Sequence, residues 1–321
     1  MTSLRHIQSS INIRGSVRID EPMSRHTTFE LGGPADVYAR PADASDVAAL
    51  LAWSRSQSMP AFVLGGGANI LVSDAGIRGL VVDLSDINGF SVHGTRVRVG
   101  AGLPVSRASE RAAEAALGGL DFLYSMPGST GGAVWMNARC YGSSVEDILV
   151  SARLISEEGT PEHYRMNHED FAYKVSPFQT RHAVIVECEF ELYQADRDEL
   201  FSRMAGYEED RRSKGHFSAP SAGSVFKNDR RFGQPSGVII DGLGLRGTQC
   251  GAAKVSDNHA NIFVNTGGAT ASDMRTLIEY VADRVEAERG FRLEREVLYV
   301  GDWSGWDPTS QPEPTPHQGH E

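Results

Sequence analysis

With 321 residues, 40 % of them hydrophobic, the chain is too long for one small core and too apolar to be disordered, so two or three domains are expected. Its formal net charge of -11 argues against a general nucleic-acid binder. Three cysteines, Cys140, Cys188 and Cys250, show no CxxC spacing and indicate neither a metal site nor a disulfide framework, and no apolar run approaches the ~18 residues of a membrane span.

In chain order, 1–26 reads as a lead-in whose first 15 residues lack the apolar core of a signal peptide, so a soluble cytoplasmic protein with no membrane partner is expected. Ser45 can cap a helix with Val47, Leu50 and Leu51 on its apolar face. Ala61–Leu64 and Leu80–Leu84 read as short strands, and Arg96–Val99 alternates like one. Val105–Leu117 is alanine-rich and helical, with Gly118 and Gly119 as its stop. Strands follow near Val150–Ser156 and Ala183–Leu192, then a helix carrying Leu200, Met204 and Tyr207. The clearest helix is 270–289: Met274, Leu277, Ile278, Val281 and Val285 recur at helical spacing, and Gly290 ends it. Glu296–Val300 reads as a closing strand, and the polar, proline-rich stretch beyond Asp302 as a fraying tail. The order is mixed α+β, without the regular alternation of a doubly wound fold.

Two glycine-rich stretches could carry chemistry. Gly65, Gly66 and Gly67 follow a strand, and consecutive glycines let backbone N–H groups converge on a pyrophosphate. The loop matches neither the GxGxxG nor the Walker pattern, which disfavours a dinucleotide-binding Rossmann domain and a P-loop NTPase. The second stretch runs from Met126 through Gly128, Gly131 and Gly132 to Asn137. The triple glycine alone reads better as a tight turn; together, the two stretches read equally as structural corners or as a flavin or nucleotide site. Residues 203–254 hold nine Lys and Arg against five Asp and Glu, either surface variation or a basic floor for an anionic substrate.

Seven collinear segments together carry a resemblance: HTTFELGGPAD (26–36), VLGGGANILVSD (63–74), MPGSTGGAVWMNARCYG (126–142), YKVSPF (173–178), AGSVFKN (222–228), GLRGTQCGAAKVSDNHANIFVN (244–265) and LEREV (293–297). The chain resembles the UDP-N-acetylenolpyruvoylglucosamine reductases (UDP-N-acetylmuramate dehydrogenases), in their shorter second type. The resemblance implies an α+β fold. Two subdomains of the vanillyl-alcohol-oxidase/PCMH type, 1–84 and 85–195 (the latter completed by 295–303), would hold FAD. A C-terminal α+β domain, 196–294, would take the substrate, and 304–321 would be a disordered tail. It also implies NADPH as hydride donor, non-covalent FAD, a UDP-sugar substrate, no metal and a monomer.

By the same resemblance, Ser224 is the proton donor and Glu296 the carboxylate that stabilises the intermediate. Lys174 polarises the substrate carboxylate, at a position where the family usually has arginine. Lysine keeps the charge but loses the planar fork. The cofactor positions implied are Gly65, Gly66, Gly67, Asn69, Ile70, Met126, Pro127, Gly128, Gly131, Gly132, Asn137 and Arg211. The substrate positions are Tyr173, Lys214, Lys227 and Asn228. Arg139 and Cys140 replace the usual small pair, and Asp229 replaces a proline. His259 is expected to be structural. Three rivals stand beside this reading. One is an alcohol oxidase of the same fold, disfavoured because residues 65–73 offer no His or Cys for covalent flavin. Another is a non-catalytic flavin- or UDP-sugar-binding homologue. The last is a reductase for a related substrate.

Overall fold

The computed structural model describes residues 10–315, which divide into two compact units. The first comprises the chain up to Glu21, Ala35–Gly66 and Gly79–Glu209; the second comprises Pro22–Pro34, Gly67–Arg78 and the chain from Asp210.

The first unit contains a four-stranded sheet in the order Ser16–Pro22, Pro34–Arg40, Ile77–Asp83, Ala61–Leu64, with Ala61–Leu64 parallel to its neighbour. The helix Ala44–Ser56 buries Val47, Leu50 and Leu51 as their spacing predicts. Its cap, however, is Asp43 rather than Ser45. The extended Asp43 places its carboxylate to accept from the N–H groups of Ser45 and Asp46, which offsets orphan amides of the first turn. A five-stranded antiparallel sheet follows, ordered Pro161–Arg165, Leu149–Ser156, Ala183–Glu191, Arg96–Gly100, Phe90–His93. Alternation explains its inner face: Val97, Val99, Val184, Val186, Cys188 and Phe190 are buried.

The helix Val105–Glu114 ends before the Gly118–Gly119 pair expected to stop it. Ala116 takes the left-handed conformation (φ 57°), and Leu117–Gly118 forms a short strand against Tyr193–Gln194. Gly118 is small for a different reason: a Cβ there would lie 2.7 Å from the Tyr193 ring.

The second unit is built on the helix Ala271–Arg289. Thr270 and Asp273 form a capping box, Gly290 (φ 77°) closes the helix, and the five residues named from periodicity are all buried. It packs on a three-stranded antiparallel sheet, Gln249–Cys250, Ala253–Val255 and Phe263–Asn265. The closing strand is Leu298–Val300. It pairs in parallel with Ile70–Val72 rather than with strands of the middle block, as had been expected for 295–303.

Nor does the chain fray at 304. Arg275 lies under the rings of Trp303 (4.8 Å) and Trp306 (3.8 Å), and Thr315 exchanges two backbone hydrogen bonds with Gln249. The final stretch of that expected tail, 316–321, and the first nine residues of the lead-in, 1–9, lie outside the described residues. Among the described residues no helix is long and apolar enough to cross a membrane, and no cluster of His, Cys, Asp and Glu could hold a metal ion.

Candidate functional site

In the second unit, Gly223 (φ 71°) makes the turn that delivers Ser224 to a short extended segment. Ser224 forms an antiparallel bridge with Ile262, and Phe226 forms one with Arg295. The Glu296 N–H donates to the Val225 carbonyl at 2.7 Å, and the Lys227 N–H donates to the Glu294 carbonyl at 2.8 Å. The serine and the glutamate, 72 positions apart in sequence, therefore sit on adjoining extended segments whose register is fixed by backbone hydrogen bonds. Val225, Phe226 and Val297 are buried beneath them, while Ser224 and Glu296 are partly exposed.

The neighbouring polar residues are already engaged. Lys227 Nζ pairs with Glu294, and Lys214 Nζ pairs with Asp210 at 2.8 Å. Asn228 Oδ1 accepts the Ser236 N–H at 2.9 Å, and Ser236 Oγ donates to the Lys227 carbonyl. This ties the AGSVFKN segment to the start of the helix Ser236–Asp241. Arg211 is buried, and its carbonyl accepts the His216 N–H. Burial pushes the His216 imidazole down to about 4, helped by the Arg211 charge, then by His259 and Lys214. Burial also lowers His259.

The glycine loops tested as a dinucleotide cradle give a clear steric answer. In the first unit, a Cβ on Gly66 would lie 2.5 Å from the Gly128 Cα, and one on Gly65 would lie 2.4 Å from Ser129 Oγ. The two loops therefore lie backbone against backbone at Gly66 and Gly128, while at Gly65 the main chain meets the Ser129 side chain. Gly132 meets only Ser129 Oγ within 4 Å of its missing Cβ, so its outer side is open. Small residues and exposed main chain suit a flavin dinucleotide held by backbone. The donor set is narrower than the glycines suggest. The N–H groups of Gly131 and Gly132 are spent on the Ala101 carbonyl and Ser129 Oγ. Met126 and Pro127 are half-buried and exposed respectively.

Three residues expected at the cofactor have structural duties. In the second unit, Ile70 is buried in the strand paired with Leu298, and Asn69 Nδ2 donates to the Glu296 carbonyl at 3.1 Å. The first unit's Asn137, 2 % exposed, donates to the Ala172 carbonyl at 2.9 Å and to Glu146 Oε2, and its Oδ1 accepts the Glu146 N–H.

The Ala172 carbonyl belongs to the turn that presents Tyr173 and Lys174. Ala172 and Val175 exchange two backbone hydrogen bonds, and Lys174 sits between them at φ 59°. A left-handed lysine costs about 1–2 kcal/mol, so the turn must be held from outside. Gln179 does so, donating to the carbonyls of Lys174 and Trp135, each at 3.0 Å. The sequence offered no signal for Gln179, whose spacing from Lys174 is not periodic. Arg139 is exposed, in a short strand paired with Ser143–Ser144.

Residues 35–164 match the FAD binding domain family, and residues 215–300 match the C-terminal domain of UDP-N-acetylenolpyruvoylglucosamine reductase. Over 306 residues the chain is 38 % identical to the UDP-N-acetylenolpyruvoylglucosamine reductase of Treponema denticola, an alignment spanning 90 % of this chain and 95 % of that protein. The reductase of the same name from Heliobacterium modesticaldum is 40 % identical over 301 residues, 93 % of this chain and 95 % of its own length. Among solved structures, the Thermus caldophilus enzyme of that name superposes with a TM-score of 0.74 at 29 % identity, over 90 % of this chain and all of that one.

Proposed function

Because the chain belongs to the UDP-N-acetylenolpyruvoylglucosamine reductase family, as an FAD-dependent oxidoreductase of peptidoglycan precursor synthesis, we propose how its own residues perform that reduction, with NADPH as the hydride source. Bound FAD, held non-covalently, supplies a hydride carrier between the nicotinamide and the enolpyruvyl methylene carbon. Addition at that carbon leaves negative charge on its neighbour, beside the substrate carboxylate. Lys174 faces that carboxylate and lowers the cost of the charge. Glu296 stabilises the same enolate-like species through its hydrogen-bond network. The Ser224 hydroxyl gives its proton to the carbon beside the carboxylate, completing the lactyl ether, and recovers a proton from solvent.

Lys227, Asn228, Lys214 and Tyr173 are the substrate contacts in this reading, and Arg211 faces the flavin. Gly65, Gly66, Gly67, Met126, Pro127, Gly128, Gly131 and Gly132 let the dinucleotide approach main chain. Asn69, Ile70 and Asn137 shape the loops behind it. The protein acts as a cytoplasmic monomer. The observation that carries the reading is the Glu296 N–H bonded to the Val225 carbonyl, which fixes the carboxylate's strand against the serine's.

The test is anaerobic. NADPH should bleach the yellow holoenzyme, and UDP-N-acetylenolpyruvoylglucosamine should then restore the colour with a lactyl product by mass. Bleaching that the substrate never reverses would refute it.

A further inference from the structure

One buried side chain outside the proposed chemistry governs the serine's segment. Asn261 is 1 % exposed and stands where a neighbouring strand would run. Its Oδ1 accepts the Phe226 N–H at 2.9 Å, and its Nδ2 donates to the Phe226 carbonyl at 2.8 Å. Its own carbonyl accepts the Val225 N–H at 2.9 Å. The next residue, Ile262, bridges Ser224, while Phe226 and Val225 pair on their other edge with Arg295 and Glu296. Ser224–Phe226 is thus the middle of a three-segment ribbon, and at Phe226 one edge is completed by a side-chain amide instead of backbone.

The backbone of Asn261 is itself held. Its main-chain N–H donates to His259 Nδ1 at 3.2 Å, a role that nitrogen fills only without a proton. The His259 ring rests on Gly237, where a Cβ would lie 3.0 Å from Cε1.

We propose that Asn261 is a positioning residue for proton delivery: its side-chain amide fixes the Ser224–Phe226 segment against the segment carrying Glu296, and His259 holds the Asn261 main chain from which that amide projects. The inference rests on the roles given above to Ser224 and Glu296. Phe226 is 1 % exposed, so truncating Asn261 leaves an N–H and a carbonyl unpaired away from water, and the segment shifts to satisfy them. A shift of about 1 Å at a reacting group costs about 10²-fold in rate.

The experiment separates the two half-reactions of the holoenzyme by anaerobic stopped flow, with flavin content measured alongside. For Asn261→Ala, reoxidation by UDP-N-acetylenolpyruvoylglucosamine should slow about 10²-fold. Its solvent deuterium isotope effect should rise, while bleaching by NADPH stays within about twofold of the parent and flavin is retained. His259→Ala should slow reoxidation in the same way, and His259→Asn, whose Oδ1 overlays Nδ1, should restore it.

Equal slowing of both half-reactions, or an unchanged reoxidation rate, overturns the proposal. If Asn261→Ala does not fold, the histidine pair decides: failure of His259→Asn to restore what His259→Ala loses overturns it equally. Ser224→Ala distinguishes the layers. Normal reoxidation in that variant removes the serine's role itself, whereas slow reoxidation there beside a normal Asn261→Ala removes only Asn261.

Discussion

The glycine loops of the first unit and the serine segment of the second hold their positions by opposite means. At Gly66 and Gly128 the device is absence: two main chains touch because no Cβ intervenes. At Ser224–Phe226 the device is presence: the Asn261 amide and the backbone of 294–296 occupy the hydrogen-bonding groups of the segment. The first arrangement is indifferent to protonation and intolerant of added volume. The second tolerates volume poorly too, but it also depends on which polar groups carry protons.

The largest break in that comparison is Gly66→Ala. Its new methyl would meet the Gly128 main chain, which has no flexible tip to move aside. A loss of about 3 kcal/mol of stability is expected, together with flavin, read by thermal unfolding and by the absorbance of the purified protein. Retained flavin with an unchanged melting temperature would show that the loops are not a tight cradle.

The second unit should instead respond to acid. His216 ionises at about 4 when folded, because burial and the nearby Arg211, His259 and Lys214 charges oppose protonation. The unfolded chain takes up that proton near 6.5, so the stabilising contribution is complete above 6.5 and drains away as pH falls toward 4. Stability should therefore fall between pH 7 and 5, by less than the full shift would give because the ring is partly exposed to screening solvent. Comparing the unfolding of His216→Gln with that of the parent at both pH values checks it, since the variant should lack this part of the slope.

The smallest effect sharpens the contrast within the first unit. Lys174 adopts a backbone conformation that glycine takes without strain. Lys174→Gly should therefore raise stability by about 1 kcal/mol while turnover falls. A variant both less stable and fully active would deny the lysine its strain and its role.

Local signals covered some of this. The helix Ala271–Arg289 could be read from the chain because its apolar stripe and terminal glycine agree, and the structure adds the Thr270–Asp273 capping box. The helix Ala44–Ser56 was equally plain, though its cap was misplaced by two residues because Asp43 and Ser45 are both good caps and only the extended backbone at Asp43 selects between them. Gly118 looked like a helix stop, yet its size answers to Tyr193, which lies 75 positions later. The polar stretch after Asp302 looked frayed because composition cannot show that two of its tryptophans cover Arg275.

By itself, then, the sequence determined the kind of protein: seven short motifs and an α+β order point to the family, and the motifs single out candidate residues for its chemistry. Only the tertiary structure decided which of the polar residues so singled out hold other segments in place. Asn69 and Asn137 carry the same polar group as a ligand-binding amide, and their hydrogen bonds to Glu296 and Ala172 exist only once distant segments meet. The reason is physical: a side-chain amide has no local periodicity to betray its partner, and burial, which makes an unpaired one costly, is a property of the fold and not of the string.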